Sequence, residues 1–505
     1  MKNVEKIKKN LLFGIVSEAL TIILGILVPR LVLTNYGSEI NGLLSSVTQI
    51  YSYIALLEAG VGTVTIQALY KAFAKDDRGQ VNAVLSATNK YYHRTGYLYL
   101  LSIIILALVY PLIIKTDIPT VTIVLVIIFN GLGSVISYFF QGKYLLLVQA
   151  EGKNYIRNML VMFTSVFKNM AKIILINLGF DVVFVQAIAM VTSILQMLFF
   201  AWYIKKYYSW IDLEVEPDFQ SISQSKNAFV HQISGLIFNQ TDNITLSVFC
   251  GLKVASVYSM YNLFYGMINT AQVTISGSVV FMMGQAYHSD KKKFIELYEL
   301  YELFYITASF ALYSVMTYLI VPFLKLYTDG VNDIGYIDRY LPFLFSAIGL
   351  LSCTRNAPNN VINFAGHFKQ TQGRSIAEAI INIVVSILAV YYLGIYGVLI
   401  GTIVAMLYRS NDIIIYANRR LLHRSVWKTY KRILICILTY IIVQGVSLLV
   451  LYPFTSYLRI IIFAVPYTII TMVAFFGMSS VFDFKTFKVL VTIVKNKIGD
   501  KMKVC

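Results

Sequence analysis

Charge is the scarcest property of this sequence. Only 13% of its 505 residues are charged, whereas 58% are hydrophobic, and the mean hydropathy is +0.69. Soluble globular chains are about a quarter charged, so this composition excludes a soluble protein of such length. The four cysteines are scattered, with neither a paired framework nor metal-ligand spacing. We therefore expect no disulfide scaffold, no metal site and no catalytic cluster.

Apolar runs of about twenty residues recur along the whole chain, and each can cross a ~30 Å hydrocarbon core as a helix. The run 11–33 is too long for a signal-peptide core and has no small-residue cleavage site, so we expect it to be retained. We predict an all-α polytopic membrane protein with about fourteen spans, at 11–33, 40–70, 96–114, 121–148, 158–178, 181–204, 227–249, 255–287, 297–321, 341–364, 376–393, 395–417, 432–452 and 459–480.

Lysine and arginine are concentrated in every second loop between these spans. With the N-terminus placed inside, about thirty of them fall in inner loops or tails and six in outer loops or span ends. Basic residues in short loops favour the cytoplasm, so we predict that both termini are cytoplasmic. The same alternation accounts for the net charge of +17 without a nucleic-acid partner.

The chain repeats itself at a shift of about 214 residues. Tyr36-Gly37 then meets Cys250-Gly251, Gly152 meets Gly366, and "NLGF" at 177–180 meets "YLGI" at 392–395. Six spans in each half start both halves on the same side, and transporters built from such repeats bind substrate between them and alternate access. We predict an N-lobe at 1–212, a cytoplasmic linker at 213–226, a C-lobe at 227–424, two extra spans at 425–482 and an amphipathic cytoplasmic tail at 483–505.

One stretch carries a family resemblance, "LVLTNYGSEINGLLSSVTQIYSYIALLEAGVGTVTIQALYKAF". It resembles the opening of the Wzx-type bacterial polysaccharide flippases, which belong to the multidrug/oligosaccharidyl-lipid/polysaccharide (MOP) exporter superfamily. The family's glycine turn after the first span, its "lldlGlg"-like second span and its charged inner loop correspond to 36–43, 56–62 and 71–78. Two six-span lobes and two further spans fit this MATE/MOP-like pattern over the whole chain.

The resemblance implies a non-enzymatic flippase of the bacterial cytoplasmic membrane. Its substrate would be an undecaprenyl-diphosphate-linked oligosaccharide, the repeat unit of a surface polysaccharide, carried from the inner to the outer leaflet. A sugar chain and a diphosphate cannot cross hydrocarbon unaided, because their lost hydration contacts go unreplaced. Implied partners are membrane lipids, a polysaccharide polymerase and glycosyltransferases. No cofactor is implied, and coupling to the membrane potential, Na⁺ or H⁺ stays open.

Two spans carry polar stripes at equivalent positions of the two halves. The second contains Ser52, and the eighth contains Asn262 and Asn269. Polar faces of membrane helices meet protein or water rather than lipid. We expect these residues to line a substrate cavity, and hydrogen bonding between packed helices is the alternative.

Cations at membrane depth are candidates for contact with the diphosphate. Arg355 lies in "SCTRNAPNNVIN", 352–363, which we expect to be a break or kink in the tenth span, and its alternative is a structural pair with a carboxylate. Arg30 follows Pro29 and either meets substrate or extends to the outer headgroups. Lys168 is the deeper of two lysines on one face of the fifth span. Three further cations are embedded. Lys172 could extend outward to the headgroups, and we expect Lys143 to extend to those at the inner end of its span. We expect Arg409 to pair with Asp412.

Two embedded carboxylates have a candidate role in ion coupling or in stabilising a lobe. Glu58 lies near mid-membrane beside Gly60 and Gly62, and we favour an ion pair between it and a cation on a neighbouring helix. Asp242 lies in the polar patch 238–245 of the seventh span, and there we favour partnering of a cavity cation or simple packing polarity. For both residues, direct binding of Na⁺ or H⁺ is the alternative.

Three other functions compete with this interpretation. A multidrug/cation antiporter of the same superfamily would favour twelve spans and an acidic binding lobe. A flippase for the peptidoglycan precursor lipid II has a similar span count. A membrane polymerase or glycosyltransferase would need a catalytic cluster and a large outer loop, neither of which the sequence contains.

Overall fold

The computed structural model describes residues 2–58, 61–222, 240–449, 452, 454–484, 486 and 488. Its described part is all-helical, as the sequence predicts. The helices are α1 Lys2–Ile54, α2 Val61–Ala74, α3 Arg78–Ile113, α4 Thr120–Ile136, α5 Gly142–Ala150, α6 Asn154–Asn177, α7 Val182–Tyr207, α8 240–249, α9 Leu252–Ser289, α10 Lys291–Tyr327, α11 Leu341–Phe364, α12 Phe368–Leu393, α13 Ile395–Tyr416, α14 Trp427–Ser447 and α15 Tyr457–Phe482.

Ten helical stretches within the described residues are long and apolar enough to cross a membrane. One of them, Ile22–Glu58, contains the second half of the first predicted span and the start of the second. Helices α9 and α11, which correspond to the eighth and tenth predicted spans, carry more polar residues and are not among the ten. Most of the seventh predicted span and of the tail 483–505 lies outside the described residues, as do residues 223–226 of the linker. The chain is a multi-pass membrane protein.

Helix α1 is divided at the glycine that the sequence marks as the end of the first span. Gly37 has φ 80° and ψ 178°, a conformation that residues with a Cβ rarely adopt. The next residue, Ser38, donates from its backbone N to Asp333 over 2.8 Å and from its hydroxyl over 2.6 Å. Asp333 therefore caps the second part of α1 from a distant loop, because the first amides of a helix have no partner within it.

The predicted second span, 40–70, is wrong as one continuous helix. Regular helix ends at Ile54, a 3₁₀ turn follows at Ala55–Glu58, and α2 begins at Val61. The glycines at 60 and 62 weaken the helix here, because glycine costs more backbone entropy than other residues. Glu58 thus lies at an interruption of the span, rather than on the side of a regular helix.

The backbone repeats where the sequence repeats. Glycines with positive φ stand at the same turns in both halves, between helices in the same order, and the members of each pair are 214 or 215 residues apart. The pairs are Gly37 with Gly251, Gly152 with Gly366, and Gly179 with Gly394. The turns that end equivalent helices therefore have similar backbone requirements in the two halves.

The chain forms two compact units. Unit 1 contains the described residues of Met1–Ser256 and Gly330–Ile334, and unit 2 those of Val257–Asp329 and Gly335–Cys505. In unit 1, apolar side chains of α1, α3, α4 and α7 build a common core. In unit 2, α10 packs against α11, α14 and α15, and α12 forms a close hairpin with α13. The described part of the predicted seventh span, α8, lies in unit 1, so the predicted lobes 1–212 and 227–424 differ from the compact units here.

Candidate functional site

The Arg355 side chain is held by a carboxylate inside unit 2. Its Nη1 atom lies 2.5 Å from Oε1 of Glu378 on α12, and the two side chains are 19% and 10% exposed. Of the two roles that the sequence leaves open for Arg355, the pair with a carboxylate is the one that the structure contains. The charge that would attract a diphosphate is thereby largely compensated.

The same carboxylate belongs to a chain of charged groups on α12 and α13. Its Oε2 atom lies 3.6 Å from Nε of Arg409, whose Nη1 lies 2.6 Å from Asp412. The other oxygen of Asp412 lies 2.7 Å from Nη1 of Arg374. The predicted pair between Arg409 and Asp412 is therefore confirmed, within a cluster in which three guanidinium groups share two carboxylates.

The expected break or kink around Arg355 is wrong as a break in the helix. Helix α11 runs without interruption from Leu341 to Phe364 with Pro358 inside it. Proline has no amide hydrogen, so the carbonyl of Thr354, four residues earlier, loses its helical donor. The irregularity that the sequence indicates is a missing hydrogen bond one residue before Arg355, and the helix continues past it.

The two candidate asparagines of α9 lie on its exposed side, whereas Gln272 and Ser276 of the same polar stripe are buried. Asn262 and Asn269 are exposed and seven residues, about two helical turns, apart, so they share one face. The neighbouring Tyr261 and Tyr265 are buried and donate to the carbonyls of Tyr336 and Pro342. The two asparagine side chains are therefore accessible, as a substrate-lining role requires.

Ser52 is committed to its own helix. Its hydroxyl donates to the carbonyl of Thr48 over 3.1 Å, and the hydroxyl of Thr48 donates in turn to Leu44 over 2.7 Å. Nearby, Asn41 donates across to Ser256 over 2.7 Å. The polar stripe on the second span thus makes hydrogen bonds within its own helix and to a neighbouring helix. These contacts match the alternative of hydrogen bonding between packed helices.

Glu58 is surrounded by tyrosines. The hydroxyl of Tyr92 on α3 donates to its Oε1 atom over 2.5 Å, and the ring of Tyr138 packs edge-on against that of Tyr92. Tyr91 donates to the adjacent carbonyl of Leu57 over 3.0 Å. Within the described part of the chain no cation pairs with Glu58, so phenol hydroxyls take the place of the expected ion pair.

Asp242 is buried in unit 1 at 4% exposure. It lies on α8 beside the hydrogen bond between Tyr53 and Thr241, whose oxygens are 2.5 Å apart. Asn243 is fully buried, and Ser46 donates to its side-chain oxygen over 3.4 Å. Asp242 therefore belongs to a polar contact region between α1 and α8.

Two lysines on one face of α6 have no carboxylate partner among the described residues. Lys172 donates from Nζ to the side-chain oxygen of Gln186 on α7 over 2.9 Å. Lys168, four residues earlier, has no hydrogen bond or ion pair with any residue that the structure describes, and the two ammonium groups repel each other. Both side chains are half-buried. Unit 1 thus contains two adjacent positive charges in a membrane helix without a protein counter-ion among the described residues.

The other two basic candidates of unit 1 differ in their surroundings. Lys143 was expected to extend towards the headgroups, yet it is 6% exposed and lies 4.9 Å from the ring centroid of Tyr144. Arg30 is half-buried one residue after Pro29, where α1 remains helical. Because α1 packs along α6, Arg30 lies on the helix that neighbours the two lysines.

A buried ion cluster that was not predicted from the sequence lies in the first turns of α10. Glu302 is fully buried, and its Oε2 atom lies 2.6 Å from Arg424 and 2.5 Å from Arg432. Tyr298 and Thr429 also donate to it, over 2.9 and 2.7 Å. The sequence does contain a sign of this cluster, because "ELYELYEL", 296–303, places glutamates at three-residue intervals. Their basic partners lie in the distant segment 424–432, which the sequence indicates only as a positively charged inner loop.

Comparison with solved structures identifies the fold. The lipid II flippase MurJ in its inward closed conformation matches with a TM-score of 0.60 and 12% identity, over 92% of this chain and 99% of that one. A multidrug resistance MATE family transporter of the MOP superfamily, in its inward-facing conformation, matches with a TM-score of 0.59 and 15% identity, over 81% and 96%.

A third match is a MOP superfamily transporter from Pyrococcus furiosus, described as having a binding pocket of reverse polarity. Its TM-score is 0.52 at 14% identity, over 83% of this chain and 95% of that one. No protein-family model matches the sequence. No curated protein matches it either. The chain has the all-helical fold of MOP superfamily transporters and flippases.

Proposed function

We propose that this protein is a flippase that moves an undecaprenyl-diphosphate-linked oligosaccharide from the inner to the outer leaflet of the bacterial cytoplasmic membrane. The observation that carries the proposal is the pair Lys168 and Lys172. A charge at the centre of a membrane helix costs about 2.5–3.5 kcal/mol on insertion scales, and two like charges four residues apart repel. An anion with about two negative charges would compensate both.

The contrast with unit 2 supports this assignment. There, Arg355 and Arg409 have carboxylate partners at 2.5 and 2.6 Å, so an incoming anion would compete with acidic side chains. In α6 the one described side-chain partner with which it would compete is the amide of Gln186. We therefore assign the main diphosphate contact to Lys168 and Lys172, with Arg30 on the adjacent helix as a further contact. Ser52, Asn262 and Asn269 remain predicted contacts to the sugar.

The membrane potential would assist this transport. An inside-negative potential contributes about 2.3 kcal/mol per charge per 100 mV, so two charges moving outward gain about 4–5 kcal/mol. Glu58 is a candidate for coupling to Na⁺ or H⁺, since its carboxylate has tyrosine hydroxyls but no cation among its described partners. Asp242 keeps the same two candidate roles as before, coupling or stabilisation of its lobe.

The test is transfer of a fluorescent undecaprenyl-diphosphate oligosaccharide in proteoliposomes with an imposed potential. We expect the Lys168→Ala and Lys172→Ala double variant to lose at least tenfold in rate, and Lys90→Ala, an exposed lysine on α3, to keep the full rate. A double variant with full activity would remove these lysines from the mechanism.

Two further arms separate the rival functions. Transport of lipid II but of no other lipid-linked oligosaccharide would make the protein a peptidoglycan-precursor flippase. Movement of a cationic drug without movement of any lipid-linked sugar would make it a cation antiporter. The second outcome is not expected, because the described membrane helices of unit 1 place uncompensated positive charge on α6, which would repel a cation. The first outcome would keep the diphosphate contact and change only the sugar that is carried.

A further inference from the structure

A groove of about 850 Å³ opens in unit 1 beside α7 and the segment that follows it. Neither α6 lysine lines it, and none of the residues assigned above to contact with the diphosphate or the sugar does. Its walls come from the start of α5, the last turns of α7 and the first residues of the linker. The lining residues used below are Phe140, Lys143, Met197, Lys205, Asp212 and Glu214.

The groove has an apolar part and a charged part. Phe140 and Met197 come from membrane helices, and Phe140 is 53% exposed. Asp212 and Glu214 come from the polar segment that follows α7, and both are exposed. An amphiphile with a charged headgroup and apolar chains would meet a matching surface along the whole groove, because each part would lie against groups of its own polarity.

Lys143 provides the buried cation at the boundary between these parts. A π-helical turn at Ser137–Gln141 precedes it, and such turns are frequent at functional sites. Its Nζ atom donates to the carbonyl of Phe139 over a long 3.4 Å, and an ammonium has three donors. Among the described residues no carboxylate pairs with it. Lys143 thus has donors left for a ligand in the groove.

The charged lining is balanced in sign. Lys143 and Lys205 are basic, and Asp212 and Glu214 are acidic. One oxygen of Asp212 accepts the backbone amide of Glu214 over 2.9 Å, which fixes the turn that carries both carboxylates. A ligand that carried only negative charge would meet two carboxylates, whereas a zwitterion would satisfy both signs.

We propose that this groove binds an aminophospholipid, with its phosphate at Lys143 and Lys205, its primary ammonium at Asp212 and Glu214, and its acyl chains along Phe140 and Met197. A primary ammonium donates three hydrogen bonds to carboxylates, whereas a trimethylated choline headgroup donates none. A phosphatidylglycerol headgroup lacks the positive charge. This lipid site does not depend on the flippase function.

The test is native mass spectrometry of the purified full chain with phosphatidylethanolamine, phosphatidylcholine or phosphatidylglycerol of identical acyl chains. We expect phosphatidylethanolamine to be retained best, and Lys143→Gln to weaken its binding about tenfold, as loss of a charge-assisted hydrogen bond would. Lys206→Gln is the matched control, because this exposed lysine adjoins Lys205 but does not line the groove.

A second variant keeps the proposal testable if Lys143→Gln does not fold. Glu214 is exposed, so Glu214→Gln should fold normally and shift the preference from phosphatidylethanolamine towards phosphatidylglycerol. Glycerophosphoethanolamine and inorganic phosphate, at the same concentration as the lipid, should not compete. Equal retention of the three lipids by the wild type, equal weakening in Lys206→Gln, or effective competition by either soluble compound would overturn the proposal.

Discussion

Nη1 of Arg355 on α11 lies 2.5 Å from Oε1 of Glu378 on α12, and this contact joins two helices of unit 2. Removing one partner leaves the other charge in a mostly buried place without its counter-ion. The structure therefore assigns Arg355 a contribution to stability that its position in the sequence does not reveal.

For this pair, we expect Arg355→Ala to lower the free energy of unfolding of the detergent-purified protein by about 1–3 kcal/mol. Glu378→Gln should act in the same direction, and the double variant should lose less than the sum of the two. Thermal unfolding measures all three, with the exposed Arg339→Ala as control. An Arg355→Ala protein of normal stability that no longer transports substrate would restore the substrate-contact role.

The buried carboxylate of Glu302 should matter more. In Glu302→Gln, Arg424 and Arg432 lose their shared counter-ion, so we expect a loss of about 3–5 kcal/mol and poor recovery of folded protein. Glu296→Gln on the same helix removes an exposed carboxylate and should change little. Comparison of folded yield by size-exclusion chromatography distinguishes them. Similar yields for both variants would contradict a stabilising role for the cluster.

Asp483, just after α15, should make stability depend on pH. Burial alone raises the pKa of its carboxyl, but the Arg432 charge and its hydrogen bonds at 2.9 and 2.5 Å outweigh burial and hold the pKa below its usual value of 3.8. A depressed pKa contributes stability that is fully present above the unfolded value and is lost as the pH falls through the folded value. The Tm difference between wild type and Asp483→Asn should therefore be constant from about pH 5 to 8 and shrink below about pH 4. A difference that persists unchanged at pH 3 would argue against this pair.

Glu58→Gln tests ion coupling. The amide oxygen still accepts from Tyr92, so we expect a normal folded yield, together with transport that no longer responds to an imposed Na⁺ or H⁺ gradient. Tyr92→Phe removes the hydrogen bond and should destabilise the protein by about 1.5–3 kcal/mol, whereas Tyr97→Phe, 65% exposed on the same helix, should not. An unchanged gradient response in Glu58→Gln would leave Glu58 with a structural role alone.

The predicted orientation is tested by labelling single cysteines in cells with an impermeant reagent, after replacement of the native cysteines. Ser289 and Ser456 are both exposed, so accessibility depends on the side of the membrane. We expect a cysteine at 456 to react from outside and one at 289 to be protected, because both termini are predicted to be cytoplasmic. The opposite pattern would reverse the orientation.

The helices and their turns were largely predictable from the sequence. Hydropathy is a local property, and runs such as 96–114 and 459–480 must form helices in lipid because their backbone groups have no other partners there. The repeated glycines were predictable as well, since the positive φ at Gly37 and Gly251 restricts the residue type at each position. The glycines at 60 and 62 indicated a weak point in the second span. The prediction of one continuous helix over 40–70 nevertheless missed the interruption at Ala55–Glu58.

The partners of the charges were decided only by the tertiary structure. By itself the sequence predicted that Arg355, Lys168 and Glu58 lie at membrane depth, because their neighbours are apolar. It did not determine that Arg355 meets a carboxylate, that Glu58 meets tyrosines, or that Lys168 lacks a counter-ion among the described residues. An ion pair or hydrogen bond needs two atoms within about 3 Å, and that distance depends on which faces of separate helices pack together. Residues far apart in sequence meet there, so the electrostatic character of each unit follows from helix packing rather than from composition.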